Sequence, residues 1–328
     1  MPIEWNEVSS KSQGGTEQMA RRLEADLPKD LLDNFQIILS RVRELDITKV
    51  RILWQHDLPP DPESHHLKNG GWRKFHRLVF VSYWQREWYC REYQIPPSRT
   101  VVIHNAIEPI PTATKPDPKD GVRLIYSTTP HRGLELLVPV FERIAEKDKD
   151  VHLDVYSSFE IYGWGERDKQ YKDLFESMEK IPQITYHGYQ SNDVVREALK
   201  QAHILAYPNI WMETSCLSLM EGMSAECYCV HPDLGALTET AANWTYMYPF
   251  HEDKNQHAGI FHGMLETTIG MVRAKDEGAA MKAAGAKSYC DLFYNWEIRK
   301  SQWQHFLEGL VNLPRQIEQE QALFVYRA

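Results

Sequence analysis

A chain of 328 residues is long enough for two domains and a large core. With 42% apolar and 25% charged residues and a net charge of −9, it has an ordinary globular composition. That charge argues against a nucleic-acid binder, since no basic domain is visible. The acidic excess is uneven: residues 1–120 hold 17 basic and 17 acidic side chains, so the remainder carries the whole −9. No apolar run approaches the length of a membrane-spanning helix. The start, Met1 to Glu7, has no apolar signal core, so a cytoplasmic location is expected. The five cysteines, Cys90, Cys216, Cys227, Cys229 and Cys290, form no C-x-x-C pair and read as buried reduced thiols rather than a zinc site.

In chain order, Gln13-Gly14-Gly15-Thr16-Glu17 is a glycine turn running into Met19, Ala20, Leu23 and Leu27 at helical spacing. Such a turn lets backbone approach a phosphate closely, although a plain turn reads the same way. Almost no chain precedes it to supply a strand. Strands are expected at 35–40, 51–54, 78–82 and 100–103, with an aromatic-rich helix over 83–93. His56 leaves the carboxyl end of the second of these strands, where active-site groups gather in an α/β sheet; a capping or surface role fits it equally well. Residues 59–71 read as a surface loop, and Arg73-Lys74-Phe75-His76-Arg77 as a basic helix face.

Residues 109–121 carry four prolines and no core-forming pattern, which marks an interdomain linker. Beyond it, strands and helices alternate, with strands at 122–127, 151–156, 184–186, 203–207, 227–231 and 245–248, so a parallel sheet covered on both faces is expected. Leu136, Leu137, Val140, Phe141 and Ile144 form the apolar stripe of its first helix, with Pro139 as a candidate kink. Arg132-Gly133 stands at the start of that helix after a strand, a suitable place for a cation facing a diphosphate.

The most informative stretch is Tyr207 to Gly222. An apolar run ends at Tyr207, a Pro208-Asn209 turn follows, and a helix is expected over 215–225. This is a strand-loop-helix crevice, where open α/β sheets bind ligands. Thr214, Ser215 and Cys216 would place unpaired amides and small side chains at the helix start. Glu213 and Glu221 flank it, and on one helix they would lie about 12 Å apart. Taken singly, each acid also reads as an ordinary first-turn or surface carboxylate, and Arg132 as a surface ion pair.

Together these segments resemble the GT-B glycosyltransferases, and among them the retaining glycosyltransferase family 4. Glu213-x7-Glu221 with Gly222 matches the E-x7-E signature, and Tyr207-Pro208 lies where the family has Pro-Ser. Arg132-Gly133-Leu134 is similar to the family's Lys-Gly segment, with Arg for Lys. Val81-Ser82, Ile103-His104-Asn105-Ala106-Ile107, Gly14-Gly15-x-Glu17 and Asn295-Trp296-Glu297 resemble further family segments in the same order. The chain departs from the pattern at Ser127-Thr128-Thr129, where the family usually has an Arg. It departs again at Ala106 for Gly, and at Thr214-Ser215-Cys216 for the residues after the first Glu.

The resemblance implies an α/β GT-B fold of two Rossmann-like parallel-sheet domains facing a cleft. Residues 1–108 would form the acceptor side, 109–121 the linker and 122–294 the nucleotide-sugar side, with 295–328 as helices returning to the first domain. It implies that Glu221 holds the ribose and that Glu213 with Thr214, Ser215, Cys216 and Leu217 holds the donor sugar. Arg132, Thr128 and the Gly14 and Gly15 amides would face the diphosphate, His56 the donor sugar near its anomeric carbon, and His187-Gly188 the base. Catalysis would fall to His56, Arg132 and Glu213. The implied function is transfer of a hexose from a UDP- or GDP-sugar, with retention, to a saccharide, lipid or protein-linked glycan. The nucleotide sugar is then a co-substrate, and neither cofactor nor metal is expected. Peripheral membrane contact is compatible with the chain; nucleic acid is not an expected partner. A non-catalytic nucleotide-sugar-binding module, or another GT-B enzyme such as a nucleotide-sugar epimerase, stands as the alternative.

Overall fold

Short runs of branched and aromatic residues set the strands, and the computed structural model describes residues 3, 4 and 12–317. Two units emerge: Met1–Ala106 with Trp296–Ala328, and Ile107–Asn295.

In the first unit, β1 (Ile3–Glu4), β2 (Phe35–Leu39), β3 (Val50–Gln55), β4 (Arg77–Phe80) and β5 (Thr100–Val102) form a parallel sheet in sequential order. Every residue of β2 and β3 is buried, as expected of parallel strands covered on both faces. The chain is therefore not short of a strand before the glycine turn: Ile3 pairs with Ile37 and Glu4 with Ile38. After β1 come α1 (Gly15–Asp26) and the single turn α2 (Lys29–Leu32), and α3 (Tyr83–Tyr93) lies between β4 and β5. Ser82 caps α3 by accepting from the Gln85 amide at 3.1 Å.

Two expectations in this unit are corrected. Residues 62–74 are 3-10 turns rather than an open loop, because Leu67 and Trp72 anchor them in the core. The basic run is not a solvated helix face either. Phe75 is buried, His76 Nδ1 accepts from the Arg51 amide at 2.9 Å, and Arg77 opens β4.

The second unit contains β6 (Val122–Tyr126), α4 (Leu134–Lys147), β7 (Val151–Tyr156), α5 (Lys172–Met178), β8 (Ile184–Gly188), α6 (Asn192–Gln201) and β9 (Ile204–Ala206). It continues with α7 (Leu217–Ser224), β10 (Tyr228–Pro232), α8 (Leu237–Ala241), β11 (Tyr246–Tyr248), α9 (Lys254–Ala274) and α10 (Glu277–Phe293). The strand order is β11-β10-β9-β6-β7-β8, all parallel. Counted from β6 this is the doubly wound order 3-2-1-4-5-6, and the order reverses between β6 and β9. Pro139 lies inside one helix rather than ending it.

The proline-rich stretch packs into this unit instead of lying free of any core. Ile110 is buried and its amide donates to Ser224 Oγ at 2.8 Å. Lys115 Nζ donates to the Leu199 carbonyl at 3.3 Å and to that of Ala202, where α6 ends. A lysine there meets the unpaired carbonyls of a helix C-terminus. The last helix, α11 (Trp296–Glu308), belongs to the first unit. Trp296 Nε1 donates to Asp26 Oδ2 at 2.5 Å, and the Trp303 ring packs edge-on against Trp54. No motif is legible in residues 316–328, of which 318–328 lie outside the described residues.

Burial holds two imidazoles neutral. His56 is pushed down to about 3 and His231 to about 4, in both cases chiefly by desolvation. His231 already uses both nitrogens, with Pro232 O at 2.8 Å and Thr245 Oγ1 at 2.7 Å. Their folded pKa values lie below the unfolded value of about 6.5. The unfolded chain therefore binds protons first as pH falls, and stability present above pH 6.5 is lost toward pH 4. Unfolding free energies from urea melts are expected to fall as pH drops below about 6.5, approaching about 1.4 kcal/mol per pH unit per ring. His231→Gln should remove one ring's share of that slope.

Candidate functional site

The site is built where the strand order of the second unit reverses. On leaving β6, the chain turns through Ser127-Thr128-Thr129, and Tyr126 OH ties the turn by donating to the Thr129 carbonyl at 2.9 Å. A 3-10 turn over Pro130–Arg132 ends at Gly133, which adopts φ 113° and precedes α4. A β-carbon at Gly133 would overlap the Pro208 carbonyl oxygen, so glycine lets the β6 and β9 exits touch. That contact delivers Arg132 to Glu213: Arg132 Nη1 donates to Glu213 Oε1 in a direct ion pair.

Glu213 is not helical, which corrects the 12 Å estimate. It lies on the loop between β9 and α7 and forms an isolated bridge with Gly235. The Ala236 amide donates to its carbonyl at 2.8 Å. Gly235 adopts φ +64°, and a β-carbon there would lie 2.6 Å from the Glu213 carbonyl oxygen. Tyr207 OH, at the end of β9, donates to Glu213 Oε1 at 2.5 Å. The Glu213 side chain is 5% exposed and that of Arg132 21%. Burial by itself would pull the Arg132 pKa down, but the adjacent Glu213 carboxylate more than reverses this and lifts it well above its ordinary value. The cation is therefore permanent and half enclosed.

Helix α7 starts at Leu217, capped by Cys216, whose Sγ accepts from the Leu219 amide at 3.4 Å. Burial and the neighbouring Glu213 carboxylate push that thiol far up, so it is a neutral cap rather than a nucleophile. Ser218 Oγ and Ser127 Oγ lie 2.7 Å apart and join the first turn of α7 to the β6 exit. Glu221 lies in the second turn, buried, with Oε1 accepting from Asn192 Nδ2 at 3.0 Å and Arg196 Nη1 at 3.4 Å. Gly222 gives α7 its close approach to Leu205 and Cys229. Thr214 and Ser215 lie between Glu213 and the cap. Among the described residues Ser215 Oγ, Thr129 Oγ1 and Ser157 Oγ are buried without a hydrogen-bond partner. Buried hydroxyls seldom go unpaired, so these groups suit a polar ligand.

At the neighbouring strand end, His187 Nε2 lies 2.7 Å from Asp154 Oδ1, and its ring stacks on Tyr156 at 4.3 Å. Gly188 adopts φ +63° where the β7–β8 register shifts. His131 stacks on Phe159 and meets Trp211 edge-on; burial, with help from Arg132, lowers it to about 4. The first unit holds the other candidates. The His56 amide donates to Ser40 Oγ at 2.8 Å beyond the end of β3, and the ring packs on Trp54. Gly14 is the N-cap of α1, with no side chain capping it, and Gly15 is its first residue.

The geometry thus joins Arg132 to Glu213, sets Thr214, Ser215 and Cys216 just before α7, and places Leu217 and Glu221 on it. His56, Gly14 and Gly15 belong to the other unit. Among the described residues no three His, Cys, Asp or Glu side chains group as metal ligands. Asp148-Lys149-Asp150, the one Asp-x-Asp here, is a turn at the opposite end of β7: Asp148 Oδ1 accepts from the Asp150 amide and from Arg273. Tyr207, Gly235, Asn192 and Arg196 carry the site as much as the motif residues do. Tyr207 is marked in the sequence as the end of an apolar run and Gly235 by a Leu-Gly turn just after a strand, whereas Asn192 and Arg196 have no local signal.

Residues 114–262 match the model of the family described as Glycosyl transferases group 1. The fold is GT-B. A glycosyltransferase from Rickettsia africae ESF-5 superposes with a TM-score of 0.67 at 12% identity, over 92% of this chain and 81% of that one. HepE from Anabaena, solved with UDP-glucose, gives 0.62 at 13% identity, over 89% and 82%. The pneumococcal O-GlcNAc transferase GtfA, solved with UDP and GlcNAc, gives 0.65 at 13%, over 84% of this chain but 57% of its own. No curated protein matches the sequence.

The contact at Gly133 generates a direct test. Gly133→Ala must open the β6–β9 exits and is expected to cost about 1–3 kcal/mol in urea melts. Gly222→Ala, whose β-carbon meets the flexible end of Leu205, should cost less.

Proposed function

We propose that this chain is a retaining hexosyltransferase that takes its sugar from a UDP- or GDP-sugar and gives it to a glycan or lipid-linked acceptor. The observation that carries the reading is the Arg132–Glu213–Tyr207 cluster at the strand-order reversal, inside the segment matching the glycosyl transferase model. Nucleotides bind at such reversals, outside the carboxyl ends of the strands. Solved relatives of the same fold carry UDP or UDP-glucose.

The chemistry breaks the bond between the anomeric carbon and the diphosphate oxygen while the acceptor hydroxyl oxygen forms the new one and gives its proton to the departing diphosphate. Positive charge grows on the sugar and negative charge on the leaving diphosphate. Arg132 is a fixed cation for that leaving group, oriented by Glu213 before any ligand arrives, so little reorganisation is needed during reaction. The N-terminus of α4, immediately after Gly133, adds its amides and dipole. Thr128 and the Gly14-Gly15 turn belong with the diphosphate and His187-Gly188 with the base. Glu213 and residues 214–217 take the sugar hydroxyls, and Glu221 the ribose. His56 is neutral over the physiological range, so its part is hydrogen bonding to the donor sugar. On this reading the domains are 1–108, 122–294 and the returning 295–328, with 109–121 as the connection. Five buried cysteines outside any disulfide suit a reducing cytoplasm.

A non-catalytic binding module draws support from one feature: Ser127 contacts Ser218 where the family usually places a second cation. Turnover separates the two. With labelled UDP-glucose, UDP-GlcNAc and GDP-mannose, at least one donor should raise the melting temperature and be hydrolysed or transferred. Arg132→Ala is expected to slow that reaction about 10²–10³-fold, with Arg132→Lys retaining part of it. Wild-type rates in Arg132→Ala, or no donor turned over, would sink the proposal.

A further inference from the structure

Just before Glu213, the loop between β9 and α7 displays an indole. Trp211 is 46% exposed, although aromatic rings of that size are usually well covered. It is held in place nonetheless. The fully buried Asn209 side chain clasps its backbone: Oδ1 accepts from the Trp211 amide at 2.9 Å, and Nδ2 donates to the Trp211 carbonyl. Pro208, one residue earlier still, abuts Gly133. The ring meets His131 with centroids 4.9 Å apart and planes at 85°, and His131 lies flat against the buried Phe159. Burial keeps that imidazole neutral near pH 7, so the support behind the indole is uncharged. A rigid, uncovered ring is a favourable anchor, because a ligand that covers it orders little that was mobile before.

The neighbours of the ring select what covers it. The same loop carries the buried Glu213 carboxylate and Ser215, whose Oγ is buried without a hydrogen-bond partner among the described residues. An apolar face therefore stands beside groups that pair with hydroxyls. A pyranose ring is divided in the same way, with C–H bonds on its faces and hydroxyls round its rim. A purely apolar ligand would leave the Ser215 hydroxyl unpaired, and an inorganic anion would gain nothing from an indole. A nucleobase could stack there too, but β8, whose end is assigned to the base, lies three strands from β9, about 14 Å away. We propose that Trp211 is the platform on which the donor's pyranose ring stacks, one ring face against the indole while the hydroxyls meet the residues that follow. The proposal rests on the reading of this site as a nucleotide-sugar site, and adds to it a residue outside the Glu213-x7-Glu221 signature. A flat contact distinguishes sugars by whether an axial hydroxyl interrupts the stacked face, a property that charge cannot read. It also acts only on ligands that carry a sugar.

The test titrates the full chain calorimetrically, as wild type, Trp211→Ala, Trp211→Leu and Trp211→Tyr. Two ligands are used: whichever of UDP-glucose, UDP-GlcNAc and GDP-mannose binds the wild type most tightly, and the matching nucleoside diphosphate without its sugar. Trp211→Ala is expected to weaken the sugar nucleotide about 5- to 10-fold and the free diphosphate less than about 2-fold. Tyrosine should keep most of the affinity, whereas leucine, apolar but not flat, should lose nearly as much as alanine. The side chain is exposed, so the melting temperature of the unliganded protein should move little in any variant. Equal weakening of both ligands by Trp211→Ala would mark a structural role or contact with the nucleotide, and overturn the proposal. Wild-type affinity for the sugar nucleotide in Trp211→Leu would overturn it as well, since stacking would then not be what the ring supplies. If the wild type binds none of the three donors, the proposed function fails first and the platform with it. If it binds and turns over a donor that Trp211→Ala holds equally well, the platform alone is lost.

Discussion

The close approach of Gly133 to the Pro208 carbonyl is the constraint on which the candidate site depends. It is a backbone contact and leaves no room for any side chain. Because of it, the loop leaving β6 and the loop leaving β9 share one wall, and a cation from the first meets an anion from the second. Neither charge is then isolated. A buried carboxylate beside Tyr207 and Cys216 would be costly without Arg132, and Arg132 without Glu213 would be an enclosed cation with no counter-charge from that acid. A second glycine, Gly235, secures the other side of Glu213 through the same kind of backbone contact. The pair is thus placed by two positions where only glycine fits, not by the attraction between its charges.

Helix α7 is fixed in the same spirit but by polar contacts. Its first turn is tied to β6 through Ser218 and Ser127, its second to α6 through Glu221, and its last to the proline-rich segment through Ser224. Lys287 reaches the Ser224 carbonyl at 2.7 Å and pairs with Asp291 at 2.9 Å, supplying positive charge where the helix dipole is negative. An eight-residue helix is marginal by itself, so its geometry comes from these ties and from its buried face of Leu219, Met220 and Met223. This explains how a short helix can hold Glu221 at a fixed height above the sheet.

The alternation of apolar runs with helical stripes made the second unit legible in the sequence, because parallel strands buried on both faces leave an unbroken apolar signal, as at Ile204–Ala206. The Glu213-x7-Glu221 spacing could be read too, but not its shape. Counting residues treated Glu213 as helical, whereas the bridge to Gly235 and the Cys216 cap delay the helix to Leu217. The two-residue strand β1 was missed because Ile3–Glu4 is too short to show any period; its partner Ile37 supplies the pairing. Proline content suggested a linker at 109–121, yet Ile110 and Lys115 find partners far along the chain, at Ser224 and Leu199. Arg196 was silent for the same reason: an arginine on an amphipathic helix looks solvated until the carboxylate facing it is known.

On the proposed function, Ser127 in place of the cation usual in glycosyltransferase family 4 would change how a diphosphate is held. Two side-chain cations would make binding steeply dependent on salt and would repel each other across a few ångströms. Here Ser127 instead spends its hydroxyl on Ser218, at the first turn of α7. Arg132 is a permanent cation there, backed by a carboxylate that removes much of its net charge. On the same proposal, the rest of an anion's stabilisation would come from dipoles, for which the start of α4 and the buried hydroxyls of Thr129, Ser157 and Ser215 are candidates. Dipoles fixed in a protein do not reorganise as charge moves onto a leaving group, and salt screens them little at close range. A diphosphate site so arranged would trade electrostatic reach for preorganisation, and its selectivity would rest on shape and hydroxyl placement more than on charge.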